Sequence, residues 1–105
     1  MKTLHELVAD KLERADGATR EALLRIPLDN IERWLVNGHT APHRLEQWRQ
    51  IVRRALSSSE GFQALLALLR DDSESTQRLK DFAPFAGVLT REERHQAVPE
   101  CAYHF

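Results

Sequence analysis

Asn30, Arg33 and Asn37 are hydrogen-bonding side chains spaced three and four residues apart, as they would be along one face of a helix. An amide side chain can pair bidentately with adenine, and a guanidinium with guanine. His39, Thr40, His43 and Arg44 follow within a few residues, and side chains of these types hold phosphate oxygens without reading sequence. Arg33, Arg44, Arg49, Arg53 and Arg54 all fall between residues 33 and 54, where the only acid besides them is Glu46. A basic stripe on a chain of net charge −1 is a surface suited to an anionic partner. Asp29 and Glu32 put acid beside the same face and oppose phosphate approach.

Other chemistry is poorly provided for. His95, Cys101 and His104 are zinc-type donors, but a structural site needs four ligands and no fourth stands at a suitable spacing, so no metal site is expected. Ser57–Ser59 sit on no nucleophile elbow and have no paired base. There is no phosphate-cradling glycine loop, so neither an enzyme nor a cofactor is expected. Cys101 is the only cysteine and allows no intrachain disulfide. The N-terminal residues lack the pattern of a signal peptide, and the apolar run Ala64–Leu69 is too short to span a bilayer. A cytoplasmic protein without a membrane partner is expected.

The elements that would position these residues are all helical, because apolar residues recur with helical spacing and no strand alternation is present. Thr3 and Glu6 form a capping box opening a helix to about Ala15. Thr19 opens a short helix that Pro27 should stop, and Asp29 with Glu32 should cap the next, running 29–37. Gly38 suits a helix end. A fourth helix, 43–56, buries Leu45, Trp48, Ile51, Val52, Ala55 and Leu56. Ser57–Ser59 then cap a fifth, 60–70, apolar around most of its circumference. Such a helix is either central to a core or shared between chains, which makes Phe62, Leu65, Leu66 and Leu69 candidates for a dimer interface. A helix over 75–82, an apolar turn at Ala83–Gly87 and a third capping box, Thr90 with Glu93, complete the chain.

The stretch Ile31-Glu32-Arg33-Trp34-Leu35, followed by Asn37-Gly38, Pro42-His43 and an amphipathic helix, resembles the core of Cro/phage-repressor-type helix-turn-helix proteins over residues 18–56. Where that family carries glycine between its two motif helices, this chain has Arg25-Ile26-Pro27. The resemblance implies an all-α fold with a helix-turn-helix core plus C-terminal helices. It also implies a homodimer on double-stranded DNA and a repressor-like transcriptional regulator of phage or mobile-element type, with Asn30, Arg33 and Asn37 as base readers. On this division residues 1–57 bind DNA, while 58–105 dimerise or interact within one compact domain. A small interaction module, antitoxin-like or inhibitor-like, is the alternative, engaging a protein partner through the helix 60–70 and the segment 82–88.

Overall fold

A computed structural model of the chain describes residues 2–38 and 41–97. The described residues form six helices and no sheet: α1 (Leu4–Arg14), α2 (Gly17–Val36), α3 (Pro42–Ser57), α4 (Ser59–Arg70), α5 (Glu74–Lys80) and α6 (Arg91–Arg94). Local signals account for most of the boundaries. The Thr3 side chain accepts from Glu6 N while Glu6 answers the Thr3 N–H, and Thr90 and Glu93 repeat the arrangement at α6. Ser58 accepts from Gly61 N to open α4, and Pro42 stands at the first turn of α3, where its missing N–H costs nothing. Gly38 closes α2 at φ +76°, in the left-handed region where glycine is favoured.

One boundary differs from expectation. Pro27 stops nothing: it lies inside α2, a single helix of 20 residues capped by Asp16, whose Oδ1 accepts from Thr19 N at 2.7 Å. Neither the turn at Arg25–Pro27 nor the Asp29–Glu32 cap forms, because both positions are helix interior. A proline there removes one main-chain donor, at a penalty of about 3 kcal/mol. The apolar stripe explains why the helix persists: Leu24, Pro27 and Ile31 recur on one face and all three are buried. Breaking the helix at Pro27 would take one end of that stripe out of the core.

The core is continuous across both halves of the chain. Val8, Leu12, Leu24, Ile31, Leu45, Trp48 and Val52 share it with Leu65, Leu66, Leu69, Phe85 and Val88, so residue 57 is no core boundary. Helix α4 packs against both α3 and α1, and α2 packs against α3. The four proposed dimer residues are therefore interior: Phe62 is 4% exposed and Leu65, Leu66 and Leu69 at most 1%. The apolar residues of α4 that face the core are thus not free for a partner, while Gln63, Ala64 and Ala67 stay exposed on its other face. In the 82–88 segment, Phe85 and Val88 are buried as well.

Polar staples fix the helix ends. Arg70 reaches from α4 to Asp10 and Glu13 of α1, both at 2.9 Å. Arg20 donates to Leu12 O and Ala15 O at the end of α1 and lies 3.9 Å over the Phe62 ring. Lys11 donates to Val88 O at 2.8 Å and to Glu93 at 2.7 Å, tying the C-terminal segment to α1.

A Cβ on Gly61 would lie 2.1 Å from Arg54 O, main chain against main chain at the α3–α4 corner. Gly61→Ala should lower stability by about 3 kcal/mol or more in chemical denaturation, since neither backbone can yield without moving a helix. The Lys11 ammonium, helped by the Thr90 N–H, holds the Glu93 carboxyl down at about 2, below its ordinary 4.5. The stabilisation is complete above the ordinary value and is lost as pH falls through about 2. Glu93→Gln should flatten the acid limb of the stability–pH curve across that window.

Candidate nucleic-acid interface

Five of the seven residues expected to meet DNA lie among the described residues; His39 and Thr40 fall outside them. Arg33 and Asn37 are exposed on the last turn and cap of α2, and His43 is exposed on the first turn of α3 beside the half-exposed Arg44. Arg33 and Asn37 thus stand at the end of α2 and His43 and Arg44 at the start of α3, the two helices being joined by a link from Gly38 to Pro42 that can span at most about 14 Å. Arg44 is steadied by a 3.1 Å bond from Nη1 to Gln47 Oε1.

Asn30 is a correction. Its side chain is 3% exposed and faces the interior, so it meets no base edge. Its Nδ2 group donates to Pro84 O at 2.9 Å and to Ala86 O at 2.8 Å, and its Oδ1 accepts from Arg33 Nη2. Both amide donors are thus committed to the 84–86 turn, while the amide oxygen orients the guanidinium of Arg33. The position was legible in principle: Asn30 falls three residues after Pro27 and one before Ile31, on the inward stripe of α2. A polar residue on a buried stripe answers some other polar group, and here that group is the main chain of the turn.

Arg49 is also an internal residue in practice. Its Nη2 lies 2.9 Å from Glu32 and its Nη1 3.0 Å from Glu46, which bridges α2 to α3. Both carboxylates are paired with Arg49, although Glu32 stays largely exposed beside Arg33. Arg53 and Arg54 remain exposed farther along α3. Val36 is a surface residue that sequence reasoning passed over. At 82% exposure it is the one large apolar side chain in the open among the described residues. With Glu32, Arg33 and Asn37 it borders a shallow depression of about 230 Å³. Its signal was simple: a valine two residues before a helix-ending glycine, on the side opposite Leu24 and Ile31.

No metal-type cluster of three or more His, Cys, Asp or Glu occurs among the described residues; His95 is exposed, and Cys101 and His104 lie outside them. No described helix is long and apolar enough to cross a membrane. No family model, curated protein or solved structure matches the chain.

Removing the Asn30 amide would leave two carbonyls without their donor. Asn30→Ala should destabilise the fold by about 2–3 kcal/mol and loosen the 84–86 turn, seen as faster amide hydrogen exchange there than in α4.

Proposed function

We propose that this protein is a sequence-reading DNA-binding regulator whose contact surface is the corner between α2 and α3. The supporting observation is that Arg33, Val36 and Asn37 are exposed around one depression at the end of α2, and that His43 and Arg44 open α3 just across the short link that follows. On this reading the end of α2, rather than the flank of a separate short helix, approaches the duplex. Arg33 offers a guanidinium pre-oriented by Asn30, which reduces the freedom lost on pairing with guanine. Asn37 offers an amide at the helix terminus and Val36 an apolar contact for a thymine methyl. His43 and Arg44 supply phosphate contacts. With the apolar face of α4 interior, each chain brings one such corner, and any pairing of chains on DNA would use a surface other than Phe62, Leu65, Leu66 and Leu69.

The test is fluorescence anisotropy on a pool of random-sequence duplexes at low and moderate salt. Wild type should bind with steep salt dependence and enrich a short sequence. Arg33→Ala should lose discrimination by about 1–3 kcal/mol at the enriched position, while Arg44→Ala weakens all sequences alike and lowers the salt slope by about 1. Absence of binding at low salt, or folded variants that bind as wild type, would remove the basis of the proposal.

A further inference from the structure

A cleft of about 710 Å³ lies between the N-terminal half of α1 and residues 83–97. That volume is typical of small-ligand sites. Its lining is largely apolar, with Leu4, Val8, Phe85 and Leu89 contributing, and includes His5 and the exposed Arg91, Arg94 and His95. No carboxylate lines it among the described residues. Glu6, Glu92 and Glu93 adjoin lining residues in the chain without lining the cleft themselves; Glu6 closes the Thr3 cap, and Glu93 is held by Lys11 and by the Thr90 N–H, each at 2.7 Å. A largely apolar lining that includes two exposed arginines and no acid matches a ligand with an apolar body and a single anionic head.

The wall also reaches the corner through a short chain of contacts. Ala83, Phe85, Ala86 and Gly87 line the cleft, and the carbonyls of Pro84 and Ala86 in this same turn accept both hydrogen bonds from Asn30. Gly87, at φ +92°, abuts α2 closely enough that a Cβ would meet Ile26 Cγ2 at 3.5 Å. On the far side of the amide, Asn30 Oδ1 receives Arg33. Nothing but one side chain separates the turn that a ligand would touch from the guanidinium offered to DNA.

We infer that the cleft is an effector site for an apolar carboxylate, and that occupancy shifts the 84–86 turn and so releases Arg33 through Asn30. The ligand half stands on the cleft alone; the regulatory half rests on the DNA-binding reading. A ligand moves such an equilibrium only by its differential affinity for the two arrangements of the turn, and the effect is reciprocal.

Decanoate is the probe, with uncharged decanol as its control. Calorimetry should show one saturable decanoate site, weakened about tenfold or more in the folded Arg91→Ala/Arg94→Ala double variant and about tenfold weaker for decanol. Saturating decanoate should shift the NMR signals of the Asn30 side-chain amide and of Arg33. It should weaken duplex binding about fivefold or more, a typical size for coupling between sites, and the double variant should bind duplex without that response. Absence of a saturable site, equal binding of decanol, or indifference to the double substitution would overturn the ligand assignment. Decanoate binding that leaves the Asn30 and Arg33 signals unmoved would overturn the coupling. A wild type that binds no duplex while those signals do move would instead count against the DNA reading and leave the coupled cleft standing.

Discussion

The arrangement depends most on one buried amide. Asn30 sits on the inward face of α2 with its two N–H groups on the carbonyls of Pro84 and Ala86. An irregular turn enters a helical core only if its main-chain groups find partners, because a buried carbonyl without a donor costs about 1–3 kcal/mol. The Asn30 amide meets that requirement for the buried Pro84 carbonyl and adds a second, part-buried bond to Ala86 O. Phe85 can then enter the core between them and set its ring edge-on against Trp48, with centroids 5.3 Å apart. Trp48 in turn donates to Leu79 O at 2.9 Å, so the C-terminal half is fastened to α3 as well as to α2.

This fastening explains why α2 tolerates a proline. The penalty at Pro27 is local, whereas the gain from an unbroken stripe is shared by Leu24, Ile31 and the turn that Asn30 holds. It also separates what could be read in the sequence from what could not. The Thr3–Glu6 and Thr90–Glu93 boxes, the Ser58 cap and the Gly38 stop were legible because each is decided within four residues. The fate of Pro27 was not, because it depends on how the whole buried stripe of α2 packs in the fold and not on its immediate neighbours in the chain. Helix α4 shows the same limit. Its spacing makes it apolar around most of its circumference, but only the fold shows that α1 and α3 cover Phe62, Leu65, Leu66 and Leu69 within one chain.

Charge follows a similar logic. Arg20, Arg49 and Arg70 look like surface cations in the sequence, yet each joins one helix to another by binding carbonyls or carboxylates. What distinguishes Arg33 from them is its exposure together with its tether to Asn30. In the proposed site, residue type and spacing single out Arg33, Asn37, His43 and Arg44, and all four are exposed or half-exposed at the α2 and α3 ends. The role of Asn30 and the exposure of Val36 became visible only once the faces of α2 were assigned.

The decisive measurement is solution NMR of residues 24–31. Uninterrupted helical carbon shifts from Leu24 through Ile31, together with slowly exchanging side-chain amide protons on Asn30, are the expected result for an unbroken α2 latched to the 84–86 turn. Loss of helical shifts around Ile26–Leu28 with rapid exchange of the Asn30 amide would contradict it. That outcome would put a turn before residue 29 and free Asn30 to face solvent.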